Sequence, residues 1–181
     1  AKIEVIPNGA DLMQLSPSEI MISTPPRIVF AGRFVPQKNP LAIIRVLSEL
    51  RDLNWQCTML GDGMLSENVK REIEKRGLQD RFDLPGWVTP DDVLNWFSKA
   101  DILFMPSLSE GLPVVGVQAL AKGLAIVASD IGGFLDLVED FFHVPAAALE
   151  CGDYAGVQIH FVVQEFIGLA AGRIGGVGGP H

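Results

Sequence analysis

The stretch Ser107 to Leu120, Ser-Leu-Ser-Glu-Gly-Leu-Pro-Val-Val-Gly-Val-Gln-Ala-Leu, restricts the fold more than any other part of this chain. The apolar run Ile102 to Met105 precedes it and stops at Pro106, as a buried strand does. Polar residues and Glu110-Gly111 follow, and Pro113 is expected at the first helical position, where its missing N–H has no helical partner to lose. Val114 to Lys122 continues as an apolar helix that Gly123 is placed to end. A strand therefore feeds a glycine-containing turn that opens a helix. Such a turn presents free backbone N–H groups and the positive end of the helix dipole, which suit a phosphate. Glu110 stands at its lip. Gln118, eight residues on and just over two helical turns in, falls on the same side of the helix. On geometry alone the stretch also fits an ordinary strand–turn–helix packing unit.

The same grammar recurs upstream. Arg27 to Arg33 reads as a buried strand ending at Gly32, followed by Phe34-Val35-Pro36-Gln37-Lys38, an Asn39 cap and a helix from Pro40. Leu41, Ile43, Ile44, Leu47 and Leu50 are expected on its apolar side. Arg33 and Lys38 flank this helix start, where cations oppose the dipole unless an anion lies between them. Trp55 to Leu60 is a second strand, closed by Gly61-Asp62-Gly63. A charged helix from Leu65 to Arg76, its charges expected at the surface, ends at Gly77. Arg81 to Val88 reads as an edge-like strand, and Thr89-Pro90-Asp91-Asp92 opens a helix with a capping box. Trp87 reads as a half-buried anchor for that helix, with stacking on a base as the alternative. Leu124 to Ser129 is a further strand before Gly132-Gly133. Strands alternating with helices from Arg27 to Glu139 imply an α/β fold, a doubly wound Rossmann-like parallel sheet with helices on both faces.

These spaced elements resemble the glycosyltransferase family 4 group of GT-B enzymes, from about Val5 to Asp140. Glu110 and position 118 match the family's pair of acids with seven residues between them, with Gln118 a departure from the second. Gly32, Arg33 and Lys38 match its Gly-Arg…Lys element, and Gly86 and Val88 its Gly-x-Val segment. Pro7-Asn8-Gly9 matches the tripeptide that begins its C-terminal domain. The resemblance implies one half of a GT-B fold: the donor-binding domain of a retaining enzyme that moves a hexose from a UDP- or GDP-linked sugar to an acceptor in glycan or polysaccharide biosynthesis. It implies catalytic roles for Arg33 and Lys38 on the diphosphate and for Glu110 on the sugar hydroxyls. Donor contacts fall to Gly32, Gly86, Val88, Gly111, Leu112, Pro113 and Gln118, with no cofactor and no metal. The alternative is a non-catalytic nucleotide-sugar-binding or scaffolding domain, which Gln118 favours. A nicotinamide-dependent dehydrogenase is excluded, because no Gly-x-Gly-x-x-Gly follows the first strand.

Residues 1–140 thus read as the nucleotide-sugar-binding domain, and 141–181, where the resemblance ends, stay unassigned. Ala1 opens the chain and runs straight into the Pro7-Asn8-Gly9 segment, which reads as a fragment lacking an N-terminal Rossmann-like domain for the acceptor, the half open to peripheral membrane contact. A net charge of −8 argues against nucleic acid as a partner. Cys57 and Cys151 fit two free thiols in a reducing compartment, so a cytoplasmic location is expected, and His143, His160 and His181 are given no chemistry.

Overall fold

Each of the five apolar runs between Arg27 and Ser129 forms a strand, and each ends at or beside a glycine, proline or serine that lets the chain turn. The computed structural model describes residues 22–111, 113–129 and 131, together with the backbone of 142–143 and 159–162. In chain order the elements are β1 (Arg27–Ala31), α1 (Pro40–Glu49), β2 (Gln56–Leu60), α2 (Ser66–Arg76), β3 (Phe82–Gly86), α3 (Pro90–Phe97), β4 (Ile102–Met105), α4 (Val114–Ala121), β5 (Ala125–Ser129), β6 (Phe142–His143) and β7 (Ile159–Val162). The strands lie in the order β3-β2-β1-β4-β5-β7-β6. The first five pair in parallel, as expected for a doubly wound sheet. β7 joins β5 antiparallel and β6 joins β7 antiparallel, so the sheet extends into residues that the sequence left unassigned.

Order and connection decide where the helices go. The chain steps outward from β1 to β2 to β3, then returns to place β4 on the other side of β1. Right-handed crossovers put α1 and α2 on one face and α3 and α4 on the other. Strands covered on both faces lose the in–out alternation, so β1 and β5 are buried over four successive residues. The edge strand β3 keeps a half-buried, exposed alternation and tolerates Pro85. Phe30, Ile43, Met59, Leu103 and Phe97 lie fully buried between the layers. Each contributes about 1.5–3 kcal/mol relative to an exposed side chain.

Three local expectations need correction. Helix α1 ends at Glu49, so Leu50 leaves the apolar face and is 37% exposed, while Ala42 takes a buried place. Asn39 caps α1 through its backbone, not its side chain: it adopts the left-handed conformation (φ 48°, ψ 49°), which Asn tolerates better than most residues. On α2, Arg76 turns partly inward. It pairs with Glu72 at 2.7 Å and donates to Ser48 Oγ on α1 at 2.6 Å, so one charge of that helix is structural.

Candidate functional site

Parallel strands deliver all their outgoing turns to one edge of the sheet, and a crevice opens there where the strand order reverses, between β1 and β4. Four turns surround it. After β1, the chain passes exposed Arg33 and buried Phe34, makes a single tight turn over Pro36–Lys38, and enters α1. After β2, Gly61 lies directly against that segment. A Cβ there would stand 2.0 Å from the Gly32 carbonyl oxygen, and φ is +135°, so only glycine fits. A Cβ on Gly63 would meet the Phe34 carbonyl oxygen at 2.7 Å. The Gly-Asp-Gly turn is therefore a close-packed structural element.

Backbone hydrogen bonds stitch the first three turns. The Gly32 N–H donates to the Leu60 carbonyl at 3.0 Å, Phe34 to Asp62 at 2.9 Å, and Gly61 to Gly86 at 2.8 Å. Exposed Asp62 accepts from the Ser66 hydroxyl and, at 2.7 Å, from the Gly63 N–H. Those bonds, the hydroxyl's first, hold its carboxyl below the usual carboxylate range.

After β3, Gly86 takes φ +83° and the capping box on α3 forms as expected: the Thr89 hydroxyl accepts from the Asp92 N–H at 3.2 Å and the Asp92 carboxylate accepts from the Thr89 N–H at 3.3 Å. Trp87 is not the half-buried anchor expected. It is 73% exposed, because the cap fixes the start of α3 without it and Phe97 fills the buried position at the far end. The ring is left beside the crevice.

After β4, the turn is bound to the one after β1. The Leu108 N–H donates to the Gln37 carbonyl at 2.8 Å, and Gln37 Nε2 donates to the Ser109 carbonyl at 2.9 Å. Lys38 Nζ donates to Glu110 Oε1 at 2.5 Å, with only 8% of the Glu110 side chain exposed. Pro113 is the residue before the helix (φ −75°, ψ 112°), not its first position, so α4 opens at Val114. Gly116 and Ala119 form its buried side, and Gly123 closes it at φ +78° as expected.

A cavity of about 210 Å³ lies among these turns, with Gly32, Arg33, Trp87 and Val88 on its walls beside Val93 of α3 and Val115 of α4. That is less than the roughly 300–1,000 Å³ of sites enclosing a whole small ligand, so it accounts for one part of the crevice. Of the residues expected from sequence, Gly32, Arg33 and Val88 meet at this cavity, and Lys38 and Glu110 meet each other. Gly86 shapes the third turn, Gly111 is exposed beyond Glu110, and Gln118 is half-buried on α4, one turn past Val115. Leu112, Gly132 and Gly133 lie outside the described residues, as do residues 1–21.

Residues 15–150 match the family model for glycosyl transferases group 1. The chain belongs to that family. Its relatives include the D-inositol 3-phosphate glycosyltransferase of Paenarthrobacter aurescens (strain TC1), 32% identical over 153 residues that cover 77% of this chain and 38% of the relative. Another is the UDP-Gal:alpha-D-GlcNAc-diphosphoundecaprenol alpha-1,3-galactosyltransferase of Escherichia coli, 32% identical over 156 residues, 78% of this chain and 40% of that protein. The fold matches that of a mutant of S. aureus TarM in complex with Fondaparinux, alpha-GlcNAc-glycerol and UDP, with a TM-score of 0.65 at 20% identity over 74% of this chain and 27% of TarM. This group 1 glycosyltransferase domain thus spans about two-fifths of the length of those curated relatives.

Among the described residues, no group of three His, Cys, Asp or Glu could hold a metal ion, and no helix is long and apolar enough to cross a membrane. Cys57 is fully buried, and burial pushes its thiol well above the usual range, so it carries no chemistry. The sequence reading missed Gln37, which ties two turns together, and Val93 and Val115 on the cavity wall. Gln37 sits between Arg33 and Lys38, which made its segment conspicuous, but its partners lie some seventy positions away.

Proposed function

We propose that this chain is the C-terminal, donor-binding domain of a retaining family 4 glycosyltransferase that takes a hexose from a nucleotide-diphospho sugar. The supporting observation is the pair of turns bound together across the switch point, which joins Lys38, five residues after Arg33, to Glu110. Arg33 and Lys38 would neutralise the diphosphate as it leaves, the electrostatic contribution that usually dominates such transfers. With two cations in place the chemistry needs no metal and no cofactor. Glu110 would orient the sugar hydroxyls, and the N–H groups of Gly111 and Leu112, in the turn that leads to α4, would bind the leaving phosphate. Gly86 and Val88 would recognise the base through backbone groups, with Trp87 stacking on it. Gln118 would face the ribose, keeping one carbonyl acceptor where the family has a carboxylate.

The galactosyltransferase relative has UDP-Gal in its name and the TarM structure holds UDP, which supports a uridine diphosphate donor here. A further domain would carry the acceptor and meet the membrane surface, and the work would be done on the cytoplasmic side in glycan assembly. Gln118 favours one other reading, a domain that binds nucleotide sugars without turnover. Calorimetry with UDP, GDP and ADP tests the site itself. Binding to at least one is expected, together with no sugar transfer by this chain alone. A folded chain that binds none of the three refutes the proposal.

A further inference from the structure

Lys38 and Glu110 belong to different turns, and the structure joins them to each other. The ammonium and carboxylate stand 2.5 Å apart, with side chains 21% and 8% exposed. The two Gln37 bonds, to Leu108 and Ser109, hold the turns together independently of that charge pair. The ion pair can therefore open by side-chain rotation without parting the backbone. Arg33 differs: it is exposed, lines the cavity, and is in no ion pair among the described residues.

We propose that the Lys38–Glu110 pair is an exchangeable latch by which the site distinguishes a nucleotide-diphospho sugar from the bare nucleoside diphosphate. The inference rests on the proposed function, in which Lys38 serves the diphosphate and Glu110 the sugar. A phosphate oxygen that takes the Lys38 ammonium must displace Glu110 or share with it. A largely buried carboxylate left without a donor carries the full penalty of its lost solvation. A hexose supplies replacement donors in its hydroxyls, so both charged groups exchange one partner for another. A bare diphosphate supplies none and has to compete with Glu110 for Lys38. Once the sugar is gone, Glu110 takes Lys38 back and the diphosphate is released.

The test is calorimetry on the 181-residue chain with UDP against UDP-galactose, GDP against GDP-mannose and ADP against ADP-glucose. In Glu110→Gln, the diphosphate that binds is expected to bind about five- to tenfold tighter. Its diphospho sugar gains nothing, so the preference for the sugar form falls by about that factor. In a Lys38→Met background the same substitution gives no gain for the diphosphate. A gain that persists there comes from through-space repulsion between carboxylate and phosphate, and overturns the latch. Equal changes for the two ligands in Glu110→Gln overturn it as well. A wild-type chain that is folded yet binds none of the six compounds removes the proposed function and the latch together, whereas an unchanged preference removes the latch alone. A readout without substitution is the 15N resonance of the Lys38 ammonium. It is expected to move further with the diphospho sugar than with the diphosphate, and equal movement sinks the proposal.

Discussion

The two sides of the crevice are built on opposite principles. Where the turns after β1 and β4 meet, polar groups satisfy one another: Gln37 spans two backbone positions and Lys38 is neutralised by Glu110. Where the turn after β3 faces the cavity, the wall is apolar and open, with Trp87 73% exposed and Val88, Val93 and Val115 around it. The first side is specified by bonds that need exact partners, and the second by surface alone. A ligand with a charged end and a flat apolar end would use both. Beneath them lies a shared floor of main chain, where Gly61 touches Gly32.

Breaking that floor is expected to have the largest effect. Gly61→Ala places a methyl group against a backbone carbonyl in a strained φ region, so the turns after β1 and β2 must separate. A loss of about 3 kcal/mol or more in chemical denaturation is expected. A loss below about 1 kcal/mol would mean that the two turns are not packed as described.

The next two effects separate the sides by ligand. Arg33→Ala is expected to weaken binding of UDP by about 1.5–3 kcal/mol and to leave uridine nearly unchanged, because a charge-assisted bond to phosphate is lost. Equal losses for both would move Arg33 away from the diphosphate. Trp87→Ala is expected to weaken UDP and uridine alike, by about 1 kcal/mol, the low end of base–aromatic stacking on an open face. Its melting temperature is expected to match the wild type, since an exposed ring holds little of the fold. A drop of several degrees would restore the helix-anchor role that the sequence suggested.

The smallest effect belongs to a pair remote from both sides and serves as their control. The Arg76 guanidinium, first through its hydrogen bond, holds the Glu72 carboxyl below its ordinary value of 4.5. A depressed folded value means the contribution is fully present above the unfolded value and is lost as pH falls through the folded one. Glu72→Gln is therefore expected to lower stability by about 0.3–0.5 kcal/mol at neutral pH. That deficit should shrink as the pH falls below 4.5 and close once Glu72 is protonated in the folded chain as well, while ligand affinities at neutral pH stay unchanged. A pH-independent deficit would show that packing, not charge, holds Arg76 against Ser48.

What the sequence made legible follows from how local each signal is. Apolar runs stopped by glycine, proline or serine located every strand from Arg27 to Ser129, and Thr89-Pro90-Asp91-Asp92 named its own cap. The strand order then places the turns on one edge, which is why Gly32, Arg33 and Val88 line one cavity. Lys38 and Glu110 were both picked out, but nothing local could show that they face each other across 72 positions. Trp87 misled because an aromatic beside a helix start is commonly an anchor, and only the finished cap shows that it is not needed. The one-residue shift at Pro113 has the same origin: a proline fits either side of a helix boundary, and packing of Gly116 and Ala119 decides which.

The glycine floor also sets what can vary. Since Gly61 and Gly63 press on carbonyl oxygens of the preceding turn, any side chain at either position collides with backbone, whatever its chemistry. Trp87 and Leu108, by contrast, stand 73% and 55% exposed at the rim. Substitution can therefore rework the walls of this crevice, and with them the choice of ligand, while its depth stays fixed by atoms that every amino acid shares.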